Sequence, residues 1–420
     1  MLFDPFSKDS TMRRSFKGPS ARLSADSQRL ITLCKALIQA SSRVEERAWE
    51  RELDALLHKA LRLGHQADID AALDQLFKTR SEAYDVLMDG VEAGSESCVI
   101  EHDGKQYQAL LIAAPILAWT RFAIASGPFS QDMLLTLAAQ LQAHVLAADT
   151  QLTMAPLLYS IDQLPKTHAD TFAMTQRMAQ AALGKTPLRA PTTVPETAPF
   201  LADTRYLLAT VVAPLGAPLF RWQEAVNPAE RSAALSQWQA QGKPSIERLL
   251  PGCGVELLLP DAYFMSCRAA DKAIRPASVK AAVHYLTHTL NIGPEELSAV
   301  IGGFADPAGD GRIDEYRVSY VLRPGLEVIY GLVWPLYGEE EAQDEMPDLA
   351  GAGTEEAQTP LQEITALLRE SGVVHIKRHE EVFPMDFCDD CGAPLYCDLE
   401  GELVHAEMPE DPAQPPAHLH

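Results

Sequence analysis

The stretch YQALLIAAPILA (residues 107–118) decides the fold, because a close echo of it, YLLATVVAPLGA (residues 206–217), stands later in the chain. In both stretches a tyrosine precedes a proline by eight residues, and the apolar run between them is typical of a buried strand. We predict a helix, a strand and a second helix after each stretch. This repeated order favours a duplicated β-α-β-α core over a chance recurrence of apolar strands that end in proline.

Two predicted units extend outward from these strands. The first α/β unit spans residues 97–186 and opens with a hairpin whose turn is the Asp-Gly pair at 103–104. A Pro-rich linker, residues 187–203, separates it from the second α/β unit, residues 204–338. The second unit ends in a terminal hairpin that carries a weaker third echo, LVWPLYG. Two such units usually pack with a cleft between them, so we expect a ligand to bind there.

The flanking segments complete the prediction of an α/β (α+β) fold. Residues 24–96 are predicted to form an N-terminal helical bundle, because apolar residues recur there at helical spacing and the opposite faces are charged. This helical region either covers a sheet or binds a partner. Residues 339–359 are acidic and contain glycine, which predicts a flexible acidic linker. Residues 360–409 are predicted to form a zinc-knuckle-like tail.

The two ends of the chain, residues 1–23 and 410–420, are predicted to be disordered. The first of them lacks the apolar segment of a secretory signal, and either Met1 or Met12 is the true start. No apolar run in the sequence is long enough to cross a membrane. The seven cysteines lack the spacing of a disulfide framework, which indicates a reducing compartment, so we expect a cytoplasmic protein.

The charge of the chain limits its partners. Acidic residues outnumber basic residues by 58 to 35, which gives a formal net charge of -23. Such a charge repels the phosphates of nucleic acids and the surface of anionic membranes. We therefore expect the partner to be an unknown protein or small-molecule ligand rather than nucleic acid or a membrane.

One segment near the C-terminus, FCDDCGAPLYCDLEGELVHAEMPED (residues 387–411), carries recognisable chemistry. Cys388 and Cys391, followed by Gly392, match a zinc knuckle, in which backbone amides face two thiolates. A redox-active pair of this spacing needs a helix that begins at the first cysteine, and the glycine, alanine and proline that follow argue against one. We therefore predict a zinc site, with a metal-free loop and exposed thiols as the alternative.

The remaining zinc ligands must come from outside the cysteine pair. A hairpin around residues 398–401 brings His405 back beside Pro394, next to the knuckle, whereas Cys397 lies by the turn and is the poorer candidate. Upstream, VVHIKRH puts two histidines on one strand face about 13 Å apart, so one site takes only one of them, and His379 is the nearer. The predicted ligands of a structural zinc (Zn) ion are Cys388, Cys391, His405 and His379.

Two further patterns are weaker. His284 and His288 lie four residues apart on a predicted helix, at the polar edge of its buried stripe, which indicates a solvated face. The pattern AQAALGKT (residues 179–186) resembles a phosphate-binding loop, but it closes a helix where that loop must open one. No catalytic set of residues stands out, and a set assembled from distant positions would not show in the sequence.

The signature CDDCGAPLY…DLEGELVHAEMPED, together with SADSQRL…ERELDALL…ALDQLF…AYD near the start, resembles a family of uncharacterised bacterial proteins, a domain of unknown function. The similarity runs over nearly the whole chain from about residue 20. The resemblance implies full-length relatedness and a cytoplasmic bacterial setting. It implies no activity, cofactor or catalytic residue.

These observations lead to two main hypotheses about function. The first is a non-catalytic cytosolic protein that binds a ligand or a protein and has a structural zinc site. The alternative is an enzyme with its active site in the cleft between the two α/β units. Docking of the zinc tail onto a partner is a third hypothesis, disfavoured by the charge. A buried polar cluster between the units would favour the enzyme, whereas an exposed apolar patch would favour an interaction protein.

Overall fold

A computed structural model describes residues 23–408, except 80, 192–194, 196, 198–199, 308–311, 324, 338–339 and 341–358. The predicted disordered ends, apart from residue 23, and almost all of the predicted acidic linker therefore lie outside the described residues, as does part of the Pro-rich linker. Within the described part of the chain, no helix is both long enough and apolar enough to cross a membrane.

The chain forms a mixed α+β fold, in agreement with the predicted fold class. Its helices are α1 (Ala25–Gln39), α2 (Arg43–Leu63), α3 (Gln66–Lys78), α4 (Ala83–Glu96), α5 (Gln131–His144), α6 (His168–Leu183), α7 (Arg221–Glu224), α8 (Glu230–Leu249), α9 (Tyr263–Leu290) and α10 (Pro360–Glu370). Its strands are β1 (Ser97–His102), β2 (Lys105–Trp119), β3 (Gly127–Pro128), β4 (Gln151–Tyr159), β5 (Ala202–Pro214), β6 (Gly254–Leu257), β7 (Asp261–Ala262), β8 (Leu297–Ala305), β9 (Glu315–Leu322), β10 (Val328–Pro335), β11 (His375–Pro384), β12 (Tyr396–Cys397) and β13 (Leu403–Val404).

Helices α1 to α4 pack together at the N-terminal end. Ser24 caps α1, because its hydroxyl accepts a hydrogen bond from the amide of Ser27. Gly64 ends α2 with a φ of 69°, a conformation that glycine adopts without strain. Apolar side chains such as Leu30 and Leu57 share a buried core with Phe172 of α6. The four helices therefore contact the rest of the molecule mainly through α6.

The first sheet has the strand order β1-β2-β5-β4-β3, and β6 and β7 also pair with β2. Strands β2 and β5, which carry the two echoed stretches, run antiparallel side by side. Tyr107 lies opposite Pro214, and Pro115 lies opposite Tyr206. Strand β4 pairs with β5, and β6 pairs with β2. Strand β4 of the first predicted unit therefore pairs with β5 of the second, and β6 of the second unit pairs with β2 of the first.

This pairing changes the expected arrangement of the two units. Because β2 and β5 are hydrogen-bonded along their common length, the units share one sheet and leave no cleft between these strands. Helices α5 and α8 cover one face of the sheet, and α6 and α9 cover the other. Side chains alternate accordingly: Ile112 and Val211 face the first pair of helices, and Leu111 and Leu208 face the second.

The terminal hairpin of the second predicted unit belongs to a separate, second sheet with the order β10-β9-β8-β11, in which β11 lies parallel to β8. Helix α9 joins the two sheets. Its first half contributes Phe264 and Cys267 to the core of the first sheet, and its second half contributes Val283 and Leu286 to the core of the second. Helix α10 packs beside α9 on the same face.

The segment after β11, residues 385–408, covers the other face of the second sheet and is called the tail from this point on. Tyr396 and Cys397 of this segment are buried there against Phe383 of β11. Two glycines make room for these side chains: a Cβ atom at Gly302 would lie 2.6 Å from the sulfur of Cys397, and one at Gly331 would overlap the ring of Tyr396. The tail therefore packs directly on the backbone of the second sheet.

Candidate metal centre

A tight loop, residues 386–395, carries the predicted zinc knuckle and is called the metal loop here. Its two ends are joined by a hydrogen bond of 3.1 Å from the amide of Leu395 to the carbonyl of Asp386. Inside it, the amide of Gly392 donates to the carbonyl of Cys388 at 2.8 Å. Gly392 has a φ of 73°, the left-handed conformation that favours glycine. The loop therefore curls back behind the cysteine pair.

Cys388, Cys391 and His405 meet at the metal loop. Their ligand atoms, two sulfurs and one imidazole nitrogen, all lie within 4.8 Å of one another. The Nε2 atom of His405 lies 3.2 Å from the Sγ atom of Cys391. The fold thus brings together three of the four residues that the sequence nominates as zinc ligands.

The backbone of the metal loop favours the thiolate form of Cys388. The amides of Cys391 and Asp390 donate hydrogen bonds to its sulfur, and these lower the pKa of the thiol. Amides that face a thiolate are the arrangement expected of a zinc knuckle, because the metal binds the deprotonated sulfur. Cys391 is exposed, so the group lies at the surface of the tail.

His405 reaches the group from the short hairpin of β12 and β13. Tyr396 pairs with Val404 in this hairpin, which places His405 beside the end of the metal loop. Its Nδ1 atom makes no hydrogen bond to any described residue and lies 3.6 Å from the carboxylate of Glu407. A metal-bound histidine commonly donates its other ring N–H to such a carboxylate. With Nε2 facing the sulfurs, Nδ1 is therefore placed to donate toward Glu407.

The fourth predicted ligand, His379, is not brought to this group. Its Nε2 atom lies 2.9 Å from the carbonyl oxygen of Asp398 instead. His379 belongs to β11, but it lies in the irregular stretch between Arg378 and Val382, where the register of β11 with β8 shifts. The imidazole faces the turn of the short hairpin, where it contacts the backbone rather than the two sulfurs.

Cys397, the poorer candidate, also lies away from the group. Its side chain is fully buried under the tail, and burial raises the pKa of the thiol to about 12. The hydroxyl of Ser319 donates a hydrogen bond of 2.6 Å to its carbonyl. Cys397 is therefore a core residue of the tail.

Sequence reasoning missed one residue that holds the metal loop, Arg317 of β9. The side chain is fully buried, and its Nη1 atom donates to the carbonyls of Asp386 and Leu395 at 2.8 and 2.6 Å. A signal for it exists in the sequence. Glu315 and Arg317 are opposite charges two residues apart in an apolar strand, and alternate residues of a strand share a face.

A second group of possible ligands lies on the helical region. Ligand atoms of Asp26, His65 and Asp68 also lie within 4.8 Å of one another. However, the ammonium group of Lys59 already lies 3.2 Å from the carboxylate of Asp26. His65 is exposed, so solvent and the lysine account for this group without a metal.

The two weaker patterns take ordinary structural roles. His284 and His288 are both exposed on α9, with ring centroids 6.0 Å apart. Helix α6 ends at Leu183, so the AQAALGKT pattern closes a helix and presents no helix N-terminus to a phosphate.

A half-buried polar cluster lies on and beside α9. Burial raises the pKa of Asp271 to about 7, with Asp203 adding to the shift and Arg275 opposing it. Burial also raises the pKa of Glu96 to about 7, although its carboxylate accepts a hydrogen bond of 3.0 Å from the amide of Phe264 in the first turn of α9. Glu96 thus caps a helix, whereas Asp271 lies half-buried on α9 beside the carboxylate of Asp203.

Comparison with known proteins adds one finding. A family model described as "Protein of unknown function (DUF2863)" matches residues 16–419. This agrees with the resemblance over nearly the whole chain that the sequence indicates. No curated protein and no solved structure matches the chain.

Proposed function

The chain belongs to the DUF2863 family, and we propose that it is a non-catalytic binding protein whose C-terminal tail is held together by a structural zinc ion. The observation that carries this proposal is the meeting of two sulfurs and an imidazole nitrogen within 4.8 Å of one another. The lowered pKa of the Cys388 thiol, caused by the backbone amides of Cys391 and Asp390, agrees with this proposal, because the thiolate is the form that binds a metal.

The donor set favours zinc over other metals. Two thiolates and one imidazole are ligands that zinc prefers, whereas magnesium and calcium take oxygen ligands. Zinc binds sulfur at about 2.3 Å and imidazole nitrogen at about 2.0 Å in a tetrahedron, so its ligand atoms lie roughly 3.5 to 4 Å apart. The ligand atoms of Cys388, Cys391 and His405 are already close to this spacing.

The place of the site supports a structural role. A catalytic zinc keeps its open position inside a cleft that holds the substrate. Here the group lies on the outside of the tail, and Cys391 is exposed. The three described ligands leave one tetrahedral position for a water molecule or a further ligand.

Zinc would add stability that the tail lacks. Strands β12 and β13 have two residues each, and a hairpin this short is not stable alone. The cysteines belong to the metal loop and His405 follows the short hairpin, so one ion connects two irregular segments. It would thereby keep Tyr396 and Cys397 packed on the second sheet.

We also propose that the strands and helices from β2 to α9 arose by duplication. The support is their symmetric placement: β2 and β5 pair at the centre of the first sheet, with β4 beside β5 and β6 beside β2. Helices α5 and α8 share one face, and α6 and α9 share the other. Two copies related by a two-fold axis through the sheet would have this arrangement.

We further propose a reducing cytoplasm as the setting. All seven cysteines are free, and Cys34 and Cys267 are buried. Free thiols beside a zinc-thiolate site are typical of proteins that work where disulfides do not persist. The net charge of -23 supports an unidentified protein or small molecule as the partner.

Native mass spectrometry of the full-length protein tests the zinc proposal. We expect a single zinc ion on each chain and none on a Cys388→Ser/Cys391→Ser variant. A Cys98→Ser/Cys253→Ser variant loses as many thiols elsewhere and should keep the ion. A wild-type protein that holds no zinc, even after incubation with zinc chloride, would refute the proposal.

The second candidate function, an enzyme, is favoured by one observation. Asp271 has a raised pKa of about 7 and interacts with Asp203 and the fully buried Tyr206. A carboxyl group that titrates near the working pH suits general acid–base catalysis. The same spectra discriminate: a small molecule retained by the wild type and lost from Asp271→Asn would favour an enzyme.

A further inference from the structure

Resting on the proposed zinc site, we propose that Arg317 positions the metal loop and so makes zinc binding depend on the second sheet. Arg317 lies on β9 with its side chain fully buried. Its Nη1 atom donates to the carbonyl oxygens of Asp386 and Leu395, at 2.8 and 2.6 Å. These residues are the two ends of the metal loop. One guanidinium group therefore holds both ends of the loop that carries Cys388 and Cys391.

The guanidinium group is itself held in place. Its Nε atom donates to a carboxylate oxygen of Glu315 at 2.7 Å. Its central carbon lies 4.2 Å from the ring centroid of Phe304 and 5.2 Å from that of Phe387. Phe387 belongs to the metal loop, so Arg317 contacts a side chain of the loop as well as its backbone. A planar, rigid group of this kind fixes several acceptors at once.

His405 is tied to the same sheet by separate contacts. The amide of Glu407 donates to the carbonyl of Val328 on β10 at 2.9 Å. The hydroxyl of Ser319 on β9 donates to the carbonyl of Cys397 in the short hairpin at 2.6 Å. The metal loop and the segment that carries His405 are thus each bound to the second sheet. The sheet sets the distance between the sulfurs and the imidazole.

A metal site depends on that distance. Ligands must be held within about 0.5 Å of their productive positions. Loss of a residue that orients the ligands without touching the metal typically weakens metal binding about 10- to 100-fold. A buried ion pair, in contrast, is often replaced by apolar groups at little cost to stability. Arg317 therefore affects zinc affinity more than it affects folding.

The test compares matched double variants in the two sheets. Glu315→Gln/Arg317→Met removes the contact with the metal loop and leaves no unpaired buried charge. Asp203→Asn/Arg205→Met is the matched control in the first sheet. It removes the buried Arg205, which holds a loop that bears none of the proposed ligands, and it also leaves no unpaired buried charge. Zinc affinity is measured by competition with a coloured chelator, and the visible spectrum of the cobalt-substituted protein reports the geometry of the ligands.

We expect the Arg317 double variant to bind zinc about 10- to 100-fold more weakly, with a changed cobalt spectrum. The Arg205 double variant should match the wild type in both measurements, whatever its thermal stability. Wild-type affinity in the Arg317 double variant would overturn the positioning role while leaving the zinc site intact. Absence of zinc binding by the wild type would instead refute the proposed function.

An Arg317→Lys variant keeps the test valid if the double variant does not fold. Lysine preserves the charge beside Glu315 but cannot reach the carboxylate and both carbonyls in the same geometry. We expect its zinc affinity to fall between those of the wild type and the double variant. A folded Arg317→Lys protein with wild-type zinc affinity and cobalt spectrum would overturn the proposal by itself.

Discussion

Each of the two sheets uses a buried arginine to hold an irregular segment. In the first sheet, Arg205 of β5 is paired with Asp203 and donates to two carbonyls of the loop before β3. In the second sheet, Arg317 of β9 is paired with Glu315 and donates to two carbonyls of the metal loop. In both cases the acid stands two residues before the arginine on the same strand.

The segments that these arginines hold differ in their own structure. The segment on the first sheet is the short stretch between β2 and β3, so a strand of the sheet holds each of its ends. The segment on the second sheet runs from the end of β11 to residue 408 and contains only the two-residue strands β12 and β13. A buried arginine suffices in the first case. In the second, we infer that the tail needs a metal as an additional cross-link.

The largest expected effect is a difference in zinc affinity between variants of His405 and His379. His405→Ala removes a proposed ligand, so zinc affinity should fall at least about 100-fold, or about 3 kcal/mol. His379→Ala removes only a contact with the carbonyl of Asp398 and should change zinc affinity by less than about threefold. Chelator competition measures both. Equal losses of zinc affinity in the two variants would indicate that His379 is also a zinc ligand.

The next effect belongs to Asp271 in the half-buried cluster at α9 and should not involve zinc. Burial raises the pKa of Asp271 from its usual 3.8 to about 7. A raised carboxyl pKa adds stability that is complete below about pH 4 and is lost as the pH rises through 7. The stability of Asp271→Asn relative to the wild type should therefore increase by about 3 kcal/mol between pH 5 and pH 8.

Urea denaturation at the two pH values measures this change. The exposed Asp74 provides a control, because Asp74→Asn should alter stability by less than about 0.5 kcal/mol at either pH. If Asp271→Asn changed the free energy of unfolding by the same amount at pH 5 and pH 8, the raised pKa of Asp271 would be contradicted.

The smallest effect concerns the contact between the tail and the second sheet. In Gly302→Ala the new Cβ atom would lie 2.6 Å from the sulfur of Cys397 and 3.1 Å from the ring of Phe383. Such overpacking should cost about 2 kcal/mol of stability and weaken zinc binding. Gly94→Ala in α4 meets only an ordinary contact at 3.4 Å and should cost nothing. A neutral Gly302→Ala would show that the tail does not pack on the sheet backbone.

Local sequence patterns account for much of this structure. Ser24 and Gly64 stand at helix ends, and the Asp103-Gly104 pair forms the turn between β1 and β2. The glycine after the cysteine pair and the short hairpin together predict the approach of His405 to the metal loop. Each of these features depends on residues that are close in the sequence.

Long-range pairing accounts for what the sequence could not predict. An apolar strand has the same pattern whichever neighbour it takes, so β5 could not be assigned to β2 in advance. His379 lies where the register of β11 with β8 shifts, and the alternation of a regular strand does not predict such an irregularity. Arg317 contacts Asp386 across 69 residues of chain, and only the folded second sheet brings them together.

Hydrogen exchange with and without a zinc chelator tests most directly the claim that zinc stabilises the tail on the second sheet. After chelation, amides of the metal loop and the short hairpin should exchange at least about tenfold faster, because their local stability depends on the ion. Amides of β2 and β5 in the first sheet should keep their rates. Chelation that changes no rate, or that accelerates exchange equally in both sheets, would contradict this account.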